Sequence, residues 1–395
     1  MKKRTWIFFA SVWVLALISI NQYFFCPQYQ LNAPAPFSGN QIYNPYEGAD
    51  FSGWKKCNFH THVKAWMGIT NGTSTAEAAW KLYESLGYDI HCISNYQQID
   101  EYGYGKPNYI ATYEHGYGLL KNHHTILGAI KVSWRDFLLP QSIANKQRVL
   151  AALLTTDSSY VIINHPANRN SFPAGDFTFL AGYHAIEIFP SGSLAAFDSA
   201  LSAARLVSCI ANDDSHNIED PQFVGRHCTW VGAQTTAKKN IFEALKSGLS
   251  YAMVVAYNQG ESFQDKIARI NNGLPSVRKV TVQNDSLTVA VSDSAAIQFI
   301  GQGGKVRAVK ENCTSASYHI TSGDTYIRTR IFFYDGNEID LNPVFRYNGK
   351  IPGNTIPPVD PKKTLQFNLA GIAILLAVTI GSTLILIRKR KPAHL

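Results

Sequence analysis

Histidines and carboxylates recur directly after short apolar runs in this chain, where a metal site draws its ligands from the ends of strands. His60-Thr61-His62 follows the run 56–59. In an extended segment residues i and i+2 face the same side, so both imidazoles can reach one ion. Glu114 and His115 sit in a Tyr-Glu-His-Gly stretch, and His123 and His124 stand before the next apolar run. His165 follows Val161-Ile162-Ile163-Asn164 and precedes Pro166, while Asp213, Asp214 and His216 follow the run 206–211. Core packing does not require a ligand-type residue at the end of an apolar strand. A single such histidine reads as an ordinary hydrogen-bonded residue, whereas four strand ends together point to a site for divalent metal.

Elements that position these residues follow from periodicity. Between about 54 and 256, short β-rich runs at 56–59, 89–94, 125–132, 160–164, 185–189, 206–211 and 251–256 alternate with amphipathic segments. Ser74-x-x-Glu77 is a capping box, Ala76, Ala79, Trp80, Tyr83 and Leu86 recur at helical spacing, and Gly87 supplies the stop. Further helices are expected at 141–154, 194–204 and 236–247, the last ended by Gly248. Repeated βα units predict a parallel sheet or barrel with its site at the strand C-terminal ends. From 277 to 347 six short runs separated by Asn-Asp, Gly-Gly and Asp-Gly predict a small all-β domain, and Gly301-x-Gly303-Gly304 reads there as a hairpin turn rather than a phosphate loop.

Asn58-Phe59-His60-Thr61-His62, the mid-chain Glu114, Ile163-Asn164-His165-Pro166 and Asp214-Ser215-His216 together resemble the PHP (polymerase and histidinol phosphatase) family of metal-dependent phosphoesterases. The resemblance covers roughly residues 54–256. It implies an α/β fold class: a distorted (β/α)7 TIM-like barrel of the PHP type, here followed by the small all-β domain and flanked by two transmembrane helices. It also implies that His60, His62, Glu114 and Asp214 hold one metal, with Glu114 bridging to a second completed by His165 and His124. His124 is preferred to His123 because the strand Ile126-Leu127-Gly128 follows it at the usual distance. Two ions would activate water against a small phosphorylated substrate. Asn71 and Tyr96 stand where a third site usually has ligands, so that site is expected to be degenerate. His216 and Tyr96 are then free for catalytic roles, donating hydrogen bonds or protonating the leaving group, although Tyr96 could equally plug the vacated site. A carboxylic ester or amide substrate, and a barrel that binds without turnover, are the competing readings.

Of the 395 residues 36 are Lys or Arg and 28 Asp or Glu, a formal charge of +8. Seven of those excess charges lie in Lys2-Lys3-Arg4 and Arg388-Lys389-Arg390-Lys391, each beside an apolar run (6–20 and 369–387). The charge therefore speaks for membrane orientation and not for a nucleic-acid partner. The first run reads as an uncleaved anchor, with a cleaved signal peptide as the alternative, because bulky Tyr23-Phe24-Phe25 offers no small-residue cleavage site. Positive residues stay inside, so the chain is expected in the cell membrane with both termini cytoplasmic and the catalytic domain outside. The boundaries that follow are an anchor at 1–26, a tether at 27–53, the barrel at 54–262, the β domain at 263–350, a Pro-rich linker at 351–364 and a second span with its basic tail at 365–395. Among the six cysteines, Cys57, Cys92 and Cys209 occupy equivalent strand positions as small hydrophobes, and Cys228 with Cys313 is the one pair to test for a disulfide.

Overall fold

A computed structural model describes residues 3–31, 34–154, 159–189 and 193–390; Lys2 and Lys391 of the basic clusters lie outside these. The helices begin and end on local chemistry. Thr75 caps the helix Ala76–Ser85 by accepting from the Ala78 N–H, one residue later than the expected Ser74, and Ala79, Trp80 and Tyr83 form its buried face. Ser142 and Asn145 form a reciprocal capping box on Ile143–Leu153. Gly248, at φ 77°, ends Lys238–Ser247 in the left-handed conformation a side chain resists. A helix at Phe263–Asn271, capped by Ser262, lies where only β structure was expected.

Among the described residues the strands make two sheets. The smaller has five, in the order Thr112–His115, His124–Leu127, Tyr160–Ile163, Ala185–Phe189, Ser208–Ala211. The larger has eleven. Its main path runs Gln41–Tyr43, Val344–Tyr347, Tyr326–Phe333, Glu338–Leu341, Ser250–Val254, His227–Val231, Lys55–Asn58, Ile90–His91. Ser286–Gly301 joins this path at Tyr326–Phe333 and carries Val277–Gln283 and Lys305–His319 with it. Cys57, Ile90, Leu127, Ile162, Ala185, Ile210 and Val231 form one buried cluster drawn from both sheets. Fully burying aliphatic side chains of this size contributes roughly 1.5–3 kcal/mol each.

This architecture corrects the expected (β/α)7 barrel with a separate all-β domain and two flanking spans. His227–Val231 runs antiparallel to both of its neighbours, and His124–Leu127 to both of its own. Among the described residues only Lys55–Asn58 with Ile90–His91, and Ala185–Phe189 with each of its neighbours, pair in parallel as strands. Apolar runs alternating with amphipathic helices are compatible with either strand direction, so periodicity could not choose. The β-rich segment does not stand apart either. Glu338–Leu341 pairs directly with Ser250–Val254, and Ile297, Phe299 and Ile331 share a core with Tyr83, Leu86 and Tyr251.

Among the described residues one helix, Pro361–Ile385, is long and apolar enough to cross a membrane. In the N-terminal helix Lys3–Tyr23 the segment Ala10–Tyr23 is a shorter apolar stretch among the described residues, and Gln22 near its end is buried against Leu139 and Pro140. All six cysteines are free, Cys228 and Cys313 included.

A buried ion-pair network fastens the β-rich segment to the helix Leu194–Ser202. Arg328 donates from Nε to Asp198 Oδ1 (2.7 Å) and from Nη1 to Asp340 Oδ1 (3.2 Å), with Arg330 on the far side of Asp340. Removing one partner of such a network leaves an uncompensated buried charge. Arg328→Met is therefore expected to destabilise by about 3–5 kcal/mol, read from denaturant unfolding, and to lower the β-rich segment and the rest of the fold in a single transition.

Candidate metal centre

The two sheets meet at their strand ends, through isolated parallel bridges between Thr61 and Ser215 and between Tyr96 and Glu114. Four buried asparagines hold these ends in place. Asn58 Oδ1 accepts the Asp213 N–H, Asn95 Oδ1 that of Val63, Asn164 Oδ1 that of Thr125, and Asn212 Oδ1 that of Phe59, all at 2.8–3.0 Å. Each side chain takes the place of a backbone ladder bond where two strands diverge, and each lies within two residues of a ligand-type side chain or its immediate neighbour. Sequence reasoning missed this role. Its signal is present, because Asn stands at the end of each of these apolar runs.

Six side chains converge at that junction. His60 Nε2 lies 3.2 Å from both Glu114 Oε1 and Asp214 Oδ1. His62 Nε2 lies 3.2 Å from Glu114 Oε2 and 3.4 Å from Asp214 Oδ1. His123 Nδ1 is 2.9 Å and His165 Nε2 3.3 Å from Glu114 Oε1. Two overlapping donor sets follow, His60 with His62 and Asp214, and His60 with Glu114 and His165, the atoms of each within 4.8 Å of one another. The Nε2 atoms of His60 and His62 are 3.3 Å apart. Two donors bound about 2.0–2.1 Å from one tetrahedral ion are separated by close to that distance. Glu114 Oε2, Asp214 Oδ1 and His123 Nδ1 are buried without an aligned hydrogen bond. Leaving buried polar atoms unsatisfied is costly, and a cation among them removes that cost, so the donor set fits a divalent metal.

Surrounding groups aim the donors. Glu187 Oε1 lies 2.9 Å from His60 Nδ1 and accepts from Asn212 Nδ2, while its Oε2 accepts the His165 N–H. A carboxylate can only accept, so Nδ1 carries the proton and Nε2 is left to bind an ion. Asn164 Nδ2 donates to Glu114 Oε1 at 2.9 Å. His165 and Asp214 both have positive φ, 27° and 49°, strained values for residues with a side chain. Asp214 is held there by its N–H to His60 O.

Electrostatics match this picture. Burial opposes protonation of His60, yet Asp214, Glu187 and Glu114 outweigh it and hold its pKa well above the ordinary value. His62 and His165 are raised against burial in the same way by Glu114 and Asp214. Glu114 is held well below the usual carboxylate range despite burial, by His123 and His60. Burial, then the charge on His62, depresses His216 to about 4. The site opens on its Asp214 side, where the Asp214 and His216 side chains are 18% and 28% exposed.

Of the eight expected site residues, seven meet here. His60, His62, Glu114, His165 and Asp214 supply the donors. The His216 ring stacks on His62 (4.3 Å) with its Nε2 3.5 Å from Asp214 Oδ1, and the Tyr96 ring stacks on His62 at 4.4 Å. His124 does not join them, and His123 takes its expected place. His124 pairs across the ladder with His115, and Thr125 with Glu114. Directly paired residues share a face, so the His124 ring turns away from Glu114, toward His115 and Phe172. Loss of the His123 ring in His123→Ala is expected to weaken metal binding by at least ~10-fold, the lower end for groups supporting a metal site, whereas His124→Leu leaves stoichiometry and affinity intact; equilibrium dialysis separates the two.

Asp213, equally near in sequence, is committed elsewhere: it accepts from the Gly225, Arg226 and His227 N–H groups and from Tyr83 Oη. Arg226 is turned to Val255 O and the Tyr257 ring, and Asn71 is exposed.

No protein-family model matches this chain, and no curated protein does. Among solved structures, it is distantly similar to a two-domain protein from Bacteroides vulgatus ATCC 8482 that contains a predicted PHP-like metal-dependent phosphoesterase. The two are 11% identical with a TM-score of 0.37, over 77% of this chain and 95% of that one.

Proposed function

We propose that the chain is a metal-dependent hydrolase of phosphoric esters, with two divalent ions (Mn, Zn or Fe) held by His60, His62, Glu114, His123, His165 and Asp214. The observation that supports it best is Glu114, which stands between the two donor sets with one oxygen toward His60, His123 and His165 and the other toward His62. Bound ions would supply Lewis-acid activation of water and of the ester oxygen. The chain's own residues do the rest. Glu187 and Asn164 hold His60 and Glu114 in their binding orientations. The low pKa of His216 keeps it neutral near pH 7, placed at the open side to hydrogen-bond an incoming ester. Burial, reinforced by Glu114 and Asp214, keeps the Tyr96 phenol protonated and so able to donate to charge that develops on the ester. By the positive-inside rule the basic end of the Pro361–Arg390 helix would lie in the cytoplasm, which would leave the site on the outer side of the membrane.

A second reading, binding without turnover, is favoured by Tyr96 and Asn71 at the positions where the resemblance implies third-site ligands. The full chain, purified in detergent, decides between the two. Metal content and hydrolysis of phosphomonoesters and phosphodiesters are measured with Mn, Zn and Fe, beside His60→Ala and Asp214→Asn. Two ions per chain and turnover lost in both variants support the hydrolase. Bound metal with no turnover under any ion leaves the binding reading.

A further inference from the structure

Loops beside the metal centre carry large apolar side chains with most of their surface in solvent. After the first strand of the site, Met67 is 100% and Ile69 82% exposed, and Trp66 is 44% exposed. After His124–Leu127, Ile130 is 76% and Trp134 60% exposed. The two loops touch, since the Trp66 and Trp134 rings meet edge to face at 6.3 Å. Exposed apolar residues scattered singly are normal, whereas a contiguous group beside a functional site marks an interaction surface.

Both loops are tied to the ligands. Trp66 Nε1 donates to Tyr96 O at 2.8 Å, and the Tyr96 ring stacks on His62. Arg135 O lies 3.0 Å from His115 Nε2, the residue after Glu114. The second loop is also tied to the apolar helices. Leu139 O and Pro140 O accept from Gln22 Nε2, Pro140 O accepts from Tyr23 Oη, and the Leu139 N–H donates to Gln22 Oε1. The segment after that helix end packs on the Pro361–Arg390 helix through Phe24 and Phe367. Pro140 is six positions from Trp134, a reach of at most ~22 Å. Trp134 therefore lies close to the point where the apolar helices leave the sheets.

Charge in these loops has one sign toward solvent. Lys64, Lys131 and Arg135 are exposed. The one acid among residues 63–72 and 129–140, Asp136, is buried and accepts the Tyr117 and Gly118 N–H groups. Tryptophan, aliphatic side chains and basic groups together are the composition of a surface that sits in the headgroup layer of an anionic bilayer.

We propose that this face lies on the bilayer beside the helix exit, and that the ester cleaved at the metal centre is a lipid phosphomonoester. The second half rests on the hydrolase reading above. Water oxygen bonds to phosphorus, the P–O bond to the lipid alcohol breaks, and the alcohol oxygen takes up a proton derived from that water. The products are inorganic phosphate and the lipid alcohol. Met67 and Ile69 insert among acyl chains, Lys64, Lys131 and Arg135 pair with anionic headgroups, and the phosphate is presented at the Asp214–His216 opening without leaving the interface.

The test uses the full chain reconstituted in phosphatidylcholine–phosphatidylglycerol vesicles. Met67→Cys in a Cys313→Ser background carries an environment-sensitive fluorophore, the five other cysteines being buried. Quenching by doxyl-labelled lipid with shielding from aqueous iodide is expected; iodide quenching without lipid quenching overturns the docking face. Hydrolysis of phosphatidate in the same vesicles is then compared with that of a soluble aryl phosphate. The pair Met67→Asp and Ile69→Asp is expected to lower the lipid-to-soluble rate ratio by about tenfold or more, as membrane contact is lost. An unchanged ratio overturns the role of Met67 and Ile69 in presenting the lipid, and turnover of the soluble ester with none of phosphatidate overturns the lipid substrate alone. Lipid quenching without turnover of either ester supports the docking face and overturns the lipid substrate together with the hydrolase reading.

Discussion

Glu114→Gln is expected to lose metal binding and turnover together, by more than the roughly 10–100-fold typical of a supporting residue around a metal. Glu114 approaches four imidazoles, and both of its oxygens are engaged. The amide keeps the shape but replaces one lone-pair-bearing oxygen with a donor, turned toward histidines that are themselves donors when protonated. The metal-free protein suffers as well. Burial leaves His60, His62 and His165 dependent on Glu114, Asp214 and Glu187 for their counter-charge. Removing one partner of a buried charge pair costs about 3–5 kcal/mol, so chelator-treated Glu114→Gln should melt well below chelator-treated wild type. A variant that still bound two ions with near-normal affinity would show that the donor sets do not share Glu114.

Metal binding is expected to release protons and to strengthen steeply as pH rises. His60, His62 and His165 have pKa values raised above the ordinary histidine value, so in the metal-free protein they hold protons that an ion must displace. Affinity should rise up to about tenfold per pH unit for each proton displaced, one pKa unit being about 1.4 kcal/mol. Calorimetry in buffers of different ionisation enthalpy counts those protons, and a count of zero would contradict the charge arrangement.

Stability has its own sign. Raised histidine pKa values contribute stability that is full below the unfolded value near 6.5 and is lost as pH rises through the folded values. The depressed Glu114 and Asp214 contribute above the unfolded carboxylate values and lose their contribution as pH falls through the folded ones. The metal-free protein should therefore be most stable between these limits and weaken toward alkaline pH. The loaded protein gains there instead, by about 2.7 kcal/mol at a free ion concentration of 100 times Kd. Thermal melts with and without chelator should lie together at low pH and diverge as pH rises, the loaded protein melting higher.

Much of the site is legible along the chain because a strand end is a local event. An apolar run followed by His60, His165 or Asp214 places a donor at the rim of a sheet whatever that sheet's topology, whereas the strand Thr112–His115 that carries Glu114 emerged only in the structure. The spacing of His60 and His62 has the same local basis, since alternation along extended backbone puts both on one face. What local pattern cannot carry is the identity of a neighbour. His123 and His124 are equivalent until the pairing of His115 with His124 is known, and that register belongs to two strands at once. Asp213 and Asp214 are separated in role by three backbone N–H groups from residues 225–227, which only the folded chain brings to Asp213.

Sheet architecture was lost for the same reason. The amphipathic helices were placed by caps and periodicity, but strand direction depends on which strand lies alongside, and His227–Val231 between two antiparallel partners has no local signature. The sequence by itself named five of the six converging side chains, their positions at strand ends and the confinement of excess charge to the two termini, because each depends on residue type and on spacing over a few residues. Only the tertiary structure decided that His123 rather than His124 faces Glu114, that Glu187 orients His60, that the β-rich segment continues the larger sheet, and that the Trp134 loop beside the site is hydrogen-bonded to the end of an apolar helix. Those are contacts between residues tens to hundreds of positions apart, and their energies come from packing and electrostatics that no short window of sequence contains.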